Sequence, residues 1–202
     1  MNIDKISNDK KNKIINTSLK LFSKNGYKHT TTDAITKDSN ISKGILFHYF
    51  TTKKTLYFFL YDYSLKFIMD QLKNEKTITK VDFFDYIKKQ IKRKWLIMEK
   101  HPYIYAFLVS AIKEEDKEIK EYIRKKQSTT RNDSWNEVLL KTDRSKFKNE
   151  DDLEKLVKLI VFYSDGLMKD FIETENIDVE KSSQEFMDIL SMLKRNFYKE
   201  EV

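Results

Sequence analysis

The scarcity of glycine and proline constrains this chain more than any other feature of its sequence. Its 202 residues include three glycines and one proline. A sheet-rich fold needs such residues at turns every few positions, whereas long helices with short connections need few of them. With 40% of its residues apolar, the chain can also bury a core. The sequence therefore predicts an all-α protein of one or two domains.

The composition also excludes several kinds of protein. There is no cysteine, so the chain has no disulfide framework, no thiolate nucleophile and no cysteine metal site. The N-terminal residues lack the apolar core of a signal peptide. The longest apolar runs, such as residues 106–109, are too short to cross a bilayer. We therefore expect a cytoplasmic protein with no membrane partner.

Apolar residues recur at helical spacing along most of the chain. In the first helix, for example, Ile15, Leu19 and Phe22 share one face. A polar stretch at residues 75–80 ends a long fourth helix, and Pro102 suits the first turn of the sixth. The pattern predicts nine helices. The second is short and precedes a turn at residues 38–40, and the others lie at about residues 8–25, 43–49, 53–74, 81–99, 103–112, 116–140, 151–173 and 179–198.

The positive charge is concentrated at one end of the chain. Residues 1–60 carry eleven lysines and four acidic residues, a net charge of +7, which equals the net charge of the whole chain. An AT-rich genome would explain why lysine outnumbers arginine, but it would not place the excess in one segment. The distribution indicates a basic N-terminal module that faces a polyanion.

The punctuation of a helix-turn-helix lies within this basic segment. Gly26 can end the first helix in a left-handed conformation, and Thr31 or Thr32 can cap the second helix. Asn40 tolerates the positive φ that a turn requires, and Ser42 can cap the third helix. A third helix that begins in this way presents its first residues to the major groove of DNA.

Short or flexible polar side chains begin the third helix, as the reading of base edges requires. Lys43 can donate to guanine O6 and N7, and Ile45 can meet a thymine methyl group. Gly44 lets the backbone approach DNA closely, and His48 can reach a base edge or a phosphate. Leu46, Phe47 and Phe50 are expected either in the core or against DNA, and the alternative for the helix as a whole is an exposed surface without a partner.

At these residues the chain resembles the DNA-binding domain of the TetR family of bacterial repressors. The resemblance covers about residues 10–60 and implies phosphate contacts from Thr31, Tyr49 and Lys53. The chain departs from the family pattern at Thr36, Asn40, Ile45 and Phe47, and Phe47 lacks a hydroxyl that family members often place on a phosphate. The predicted DNA-binding residues are Thr30, Thr31, Thr32, Ser42, Lys43, Gly44, Ile45, His48, Tyr49 and Lys53.

The resemblance also implies how the rest of the chain is organised and what it does. It implies a DNA-binding domain at residues 1–52, joined by the long fourth helix to a ligand-binding and dimerisation domain at residues 53–202. The ligand pocket would lie between the fourth and eighth helices, and the last two helices would form a homodimer. The alternatives are that the aromatic residues form only a core and that both helices pack within one subunit. The predicted pocket residues are Tyr63, Phe67, Trp95, Met98, Tyr105, Tyr122 and Phe162.

The sequence offers little for enzyme chemistry. His29, His48 and His101 have no metal-ligand pattern around them, and no glycine-rich phosphate loop or nucleophile elbow is present. The acidic run around residues 114–118 is typical of a solvated helix start. We expect no catalytic site, no cofactor and no metal.

Together these observations predict a ligand-responsive DNA-binding regulator. It would act as a repressor that binds a palindromic operator as a dimer and is released by a small, largely apolar or aromatic ligand. Two alternatives stay open: a nucleoid-type binder without sequence preference, and a helical carrier or enzyme whose helix-turn-helix is vestigial.

Overall fold

The computed structural model describes residues 7–72, 80–173 and 179–200. These ranges contain nine α-helices, a short 3-10 helix at Arg144–Lys146 and two isolated β-bridges, so the predicted all-α class is confirmed. The helices are α1 (Asn8–His29), α2 (Thr32–Ser39), α3 (Lys43–Tyr49), α4 (Lys53–Leu72), α5 (Phe83–Lys100), α6 (Pro102–Ile112), α7 (Lys117–Lys141), α8 (Asp152–Glu173) and α9 (Val179–Phe197).

Most helix boundaries fall within two residues of those predicted, and α3 has the predicted bounds. The first helix is the exception, because helical backbone resumes after Gly26 and continues to His29. Gly26 itself has φ 68° and ψ 177°, so the predicted positive φ is present but the residue is a kink rather than an end. The predicted end of the fourth helix and most of the polar stretch after it lie outside the described residues.

The chain divides into two compact units, one of residues 1–73 and 96–127 and the other of residues 74–95 and 128–202. Helix α4 lies entirely within the first unit, whereas α5 and α7 contribute residues to both. These units are packing units. The predicted division at residue 52 separates DNA binding from ligand binding, and it stays a prediction.

The core of the first unit is built around the interface of α6 with α1 and α4. The buried stripe of α1 is the predicted one, since Ile15, Leu19 and Phe22 are each at most 2% exposed. Phe22 meets the Tyr57 ring edge to face at 4.9 Å between centroids, and Tyr57 meets Phe107 at 5.0 Å. The helix-turn-helix therefore shares one aromatic core with α4 and α6, which gives it a rigid base.

The core of the second unit includes the connection between α7 and α8. Phe147, after the 3-10 helix, is 1% exposed and forms a β-bridge with Tyr198. The Tyr198 hydroxyl accepts the Phe83 N–H at 3.1 Å, at the start of α5. Residues 141–149 are therefore held at both ends by backbone pairing, because Val81 also pairs with Thr142.

Asp82 caps α5 and joins it to two other parts of the second unit. Its Oδ1 accepts the Asp85 N–H at 3.0 Å, and its Oδ2 lies 3.1 Å from Lys146 Nζ and 3.7 Å from Lys194 Nζ. Burial by itself would raise the pKa of Asp82, but the Asp85 N–H and the two ammonium groups hold that pKa below its ordinary value. The carboxylate therefore stabilises the fold in its ionised form.

None of the helices in the described ranges combines the length and apolar character that a bilayer-spanning helix needs.

Candidate DNA-binding surface

The turn between α2 and α3 has the geometry that its sequence predicted. Asn40 adopts the left-handed conformation, with φ 54° and ψ 45°. Its N–H donates to the Lys37 carbonyl oxygen at 3.2 Å, and the Ile41 N–H donates to the Thr36 carbonyl oxygen at 3.0 Å. These two bonds close the C-terminus of α2 in the manner of a Schellman motif. The chain therefore leaves α2 in a fixed direction.

Each helix of the pair has a side-chain cap at its start. The Thr31 hydroxyl accepts the Ala34 N–H at 3.1 Å, so Thr31, rather than Thr32, caps α2. The Ser42 hydroxyl accepts the Ile45 N–H at 3.3 Å and caps α3. Both caps were predicted from residue type and spacing, and each satisfies an N–H group that the helix itself leaves unpaired.

Helix α3 has one exposed face and one packed face. The exposed residues lie within an arc of about 140° at the helical repeat of about 100° per residue. They are Lys43, Gly44, Phe47 and His48. The residues on the other side pack against the core of the first unit: Ile45, Leu46 and Tyr49. The structure thus brings Lys43, Gly44 and His48 together on one surface, and it turns Ile45 and much of Tyr49 away from that surface.

Lys43 already has an anionic partner on α2. Its Nζ lies 2.6 Å from Asp33 Oδ1, and the two side chains are 58% and 72% exposed. An exposed ion pair of this kind contributes only about 0–1 kcal/mol. Lys43 can therefore leave Asp33 and bind a guanine or a phosphate at low cost in free energy. The negative charge of Asp33 disfavours the binding of another anion while the pair is intact.

Thr30 occupies a different position from the one predicted. The side chain is 1% exposed, and its hydroxyl donates to the Gly26 carbonyl oxygen at 2.8 Å and approaches the Leu21 carbonyl oxygen at 3.2 Å. The kink at Gly26 frees carbonyl groups of α1, and Thr30 satisfies them. This placement removes the Thr30 hydroxyl from the side chains that can reach a phosphate. The Thr31 and Thr32 contacts stay predictions.

Lys53 also has a structural role that its position in the sequence did not reveal. Its Nζ donates to the Tyr27 carbonyl oxygen at 2.7 Å and to the Thr30 carbonyl oxygen at 2.9 Å, and it lies 4.3 Å from the centroid of the Tyr27 ring. Burial lowers the pKa of Lys53, and the nearby Glu114 carboxylate partly opposes this effect. Lys53 therefore ties the start of α4 to the connection between α1 and α2. Its phosphate contact stays a prediction.

The turn between α6 and α7 holds the helix-turn-helix from the other side. Glu114 Oε1 accepts the Tyr27 N–H at 2.6 Å, across 87 residues of sequence. A Cβ at Gly26 would lie 3.1 Å from the same oxygen, so a glycine allows this close approach as well as the positive φ. Lys54, at the start of α4, pairs with Glu118.

The acidic run predicted as a solvated helix start is therefore partly a set of tertiary contacts. We call the Glu114–Tyr27 hydrogen bond and the Lys54–Glu118 ion pair the α6–α7 latch. Residue type and local spacing carried no signal for it, because its partners lie more than 60 residues away.

The predicted pocket residues are divided between the two units. Five belong to the first unit, where the Tyr63 and Phe67 rings stack with centroids 6.4 Å apart. Tyr122 stacks on Phe58 at 4.0 Å, and its hydroxyl donates to Asp62 Oδ2 at 2.7 Å. Burial raises the pKa of Tyr105 to about 12, and Met98 is half-buried.

The other two predicted pocket residues, Trp95 and Phe162, belong to the second unit. Trp95 packs against the core of that unit, but the Phe162 side chain is 67% exposed. Phe162 lies on the side of α8 opposite the buried Leu153 and Val157, so it is not part of the core of this unit, and its place in a pocket stays a prediction. A surface depression in this unit is lined by Asn132, Trp135 and Asn136, and none of these was predicted.

No three His, Asp or Glu side chains come together as a potential metal site within the described ranges.

Comparison with known proteins identifies the N-terminal segment. Residues 14–58 match the model of the bacterial regulatory proteins of the tetR family. The chain is 33% identical over 120 residues to YerO, an uncharacterized HTH-type transcriptional regulator of Bacillus subtilis (strain 168), with 58% of this chain and 42% of YerO covered. It is 42% identical over 64 residues to IcaR, the HTH-type negative transcriptional regulator of the biofilm operon icaADBC in Staphylococcus aureus (strain Newman), with 32% of each chain covered. The matched segment thus spans less than half the length of either curated relative.

Solved structures share the fold over nearly the whole chain. A TetR-like transcriptional regulator from Rhodococcus sp. RHA1 superposes with a TM-score of 0.65 at 14% identity, covering 93% of this chain and 94% of that one. FadR from Bacillus subtilis, solved in complex with stearoyl-CoA, superposes with a TM-score of 0.62 at 11% identity, covering 88% and 96%. At these identities the similarity concerns the fold alone. The helix-turn-helix segment thus matches the model of the tetR family of bacterial regulatory proteins, and the helices of the chain fold as in TetR-like regulators.

Proposed function

We propose that this protein is a transcriptional repressor that binds a palindromic operator as a homodimer and leaves it when a small effector binds. The observation that carries the proposal is the geometry of α3. Its two fixed ends and packed inner face hold a short helix so that Lys43, Gly44 and His48 share one exposed surface. Direct reading of base edges needs such a surface, and the net positive charge of residues 1–60 suits the DNA backbone. IcaR, a negative regulator, supports the choice of a repressor.

An exposed apolar stripe on α8 supports a homodimer. Leu159 and Phe162 are 51% and 67% exposed, and, apart from the adjacent residues and the backbone of α8 itself, no described atom lies within 4 Å of a Cβ placed at Gly166. The three positions share one side of the helix, away from the buried side. Met192, which is 45% exposed on α9, adds to the apolar surface of the last two helices. A second copy of this chain would cover these groups, and a palindromic operator requires the two α3 helices of such a dimer to lie about 34 Å apart, one turn of DNA.

Two buried hydroxyl groups on α4 support an effector site in the first unit. The Tyr57 and Ser64 side chains are at most 1% exposed, and their oxygens have no hydrogen-bond partner among the described residues. They are seven residues apart and so share one face of α4. A buried polar group without a partner destabilises the fold by roughly 1–3 kcal/mol, and a ligand with a carbonyl or hydroxyl group could satisfy it. The aromatic surroundings of Tyr57 favour an apolar group, and the stearoyl chain of the stearoyl-CoA bound by FadR of Bacillus subtilis is such a group.

The proposed mechanism is a shift between two states of the dimer. An effector that binds better to the state with the wrong separation of the α3 helices would lower operator occupancy. A coupling of about 1–3 kcal/mol between the two sites changes affinity about 5–150-fold, which is enough for control of a promoter.

A mobility-shift titration on DNA upstream of the protein's own gene tests the proposal. We expect a discrete complex that survives competitor DNA, and a loss of about 5–150-fold in specific affinity for Lys43→Ala, since a good base contact contributes about 1–3 kcal/mol. Lys66→Ala is the matched control, because this lysine is exposed on α4 and removal of it deletes the same charge. Lys53 is unsuitable for this test because it supports the fold.

The same titration distinguishes a sequence-specific repressor from a nucleoid-type binder. The excess of lysine at residues 1–60 would favour DNA binding by either kind of protein. Binding without sequence preference would fall steeply between 50 and 200 mM salt and would weaken equally in both variants. If no sequence-selective complex forms at any salt concentration, the repressor proposal fails.

A further inference from the structure

The exposed face of α3 contains an apolar side chain for which the sequence left open a place in the core or a contact with DNA. Phe47 is 36% exposed, and it lies between Lys43 and Gly44 on the outer arc of the helix. The family resemblance suggests a phosphate contact from a tyrosine hydroxyl at this position, but a phenylalanine has no hydroxyl. A large ring in the middle of a polar surface therefore needs another explanation.

Gly44 leaves the neighbouring position on this face empty. It precedes Phe47 by three residues, so the two positions are adjacent on the helix surface. Apart from the adjacent residues and the backbone of α3 itself, no described atom lies within 4 Å of a Cβ placed at Gly44. One side of the Phe47 ring therefore borders an open notch, and a group from outside the protein can enter it.

Ile45 is poorly placed for the thymine contact predicted from the sequence. It is half-buried and packs against the core of the first unit, on the arc opposite Phe47. Its N–H is also the group that the Ser42 cap binds, which fixes this part of α3. Of the apolar residues on α3, Phe47 is the one that the fold turns outward.

We propose that Phe47 determines operator specificity by packing its ring against the C5-methyl group of a thymine in the major groove. This inference rests on the proposed function, because it concerns the same DNA-binding surface. The thymine methyl is the apolar group that the edges of the bases present in that groove. Contact between the ring and the methyl group removes apolar surface of both partners from water, and cytosine offers no equivalent group.

Replacement of single thymines by deoxyuridine tests the contact, because it deletes the methyl group and keeps every hydrogen-bonding atom. The full chain first selects its preferred operator from a random DNA pool at about 150 mM salt, and each thymine of that operator is then replaced in turn. Wild type and Phe47→Ala are titrated against both forms of each operator. We expect wild type to lose about fourfold in affinity per half-site at one thymine, as the burial of a single methyl group predicts.

Phe47→Ala should bind the thymine operator more weakly and should no longer distinguish it from the deoxyuridine form. His48→Ala is the matched control on the same exposed face, and it should keep the full preference for thymine. Because Phe47 lies at the surface, we expect Phe47→Ala to melt like wild type. Phe47→Leu provides a second readout, since it keeps apolar surface and should keep part of the preference.

Three outcomes overturn the inference, and they differ in what they say of the repressor proposal. A preferred operator in which no deoxyuridine weakens binding overturns the thymine contact alone. A thymine preference that Phe47→Ala retains in full assigns the methyl group to another side chain, such as Ile45. The absence of any preferred sequence overturns both the contact and the proposed function.

Discussion

Replacing Glu114 by alanine should loosen the hold of the α6–α7 latch on the helix-turn-helix. Glu114 Oε1 accepts the Tyr27 N–H at 2.6 Å in a half-buried position, next to the kink at Gly26. A hydrogen bond to a charged group contributes about 1.5–3 kcal/mol, and the substitution also leaves the N–H without this partner. We therefore expect Glu114→Ala to lower the free energy of unfolding by about 1.5–3 kcal/mol.

Two further variants make this prediction specific. Glu114→Gln keeps an acceptor oxygen without the charge, so it should cost about half as much, because charge-assisted hydrogen bonds are roughly twice as strong as neutral ones. Glu115→Ala removes the same charge from an exposed neighbour and should be close to neutral. Thermal unfolding followed by circular dichroism measures the series, with a fall in Tm of roughly 2–4 °C for each kcal/mol in a chain of this size.

Operator binding separates a positioning role from a general loss of charge. Glu115→Ala should bind the operator as well as wild type or slightly better, because it removes a negative charge from a DNA-binding protein. Glu114→Ala should bind more weakly despite the same change of charge, since the connection between α1 and α2 loses a support. The latch does not position the helix-turn-helix if the free energies of unfolding of Glu114→Ala and Glu115→Ala agree within about 0.5 kcal/mol and both variants bind DNA equally well.

Three other predictions follow from buried or exposed groups. Thr30→Val should lower the free energy of unfolding by about 1 kcal/mol in urea titrations, with Thr30→Ser nearly neutral, whereas lost DNA affinity at unchanged stability would restore the predicted phosphate contact. Phe162→Asp should dissociate the proposed dimer in sedimentation experiments. Leu140→Asp is the control, because it introduces the same charge at another exposed apolar residue, and it should leave the dimer intact; equal effects of the two variants would argue against the α8 interface. Because the folded pKa of Asp82 is lowered, its stabilisation is present above the ordinary carboxyl value of about 3.9 and is lost as pH falls through the folded pKa. Asp82→Asn should therefore flatten the acid limb of the stability profile, and an unchanged limb would contradict this reasoning.

The sequence predicted the helix-turn-helix well because its signals are local. The Ser42 cap, the left-handed Asn40 and the bounds of α3 depend on contacts within three to six residues, and residue type decides these contacts. The same holds for the buried stripe of α1 and for the all-α class, which follow from periodicity and from the scarcity of glycine and proline. The concentration of lysine at residues 1–60 likewise needed no coordinates.

The candidate site was harder to predict wherever a side chain has a choice of partner. Lys53 has the residue type of a phosphate ligand, but the fold places two carbonyl oxygens within its reach. The Thr30 hydroxyl could likewise bind a phosphate or a backbone carbonyl group, and the kink at Gly26 places the Gly26 carbonyl oxygen within its reach. Phe162 continues an apolar pattern on α8, and only the packing of the helix reveals which side of that pattern is covered.

The sequence by itself therefore determined the helices, their caps, the basic module and the family whose model that module matches. The tertiary structure alone decided that Glu114 holds the helix-turn-helix, that Lys53 and Thr30 support it from within, and that Phe47 rather than Ile45 points outward. The physical reason is the range of the interactions. Caps and periodicity act within a few residues of the chain, whereas burial and long-range hydrogen bonds exist only after distant helices have packed together.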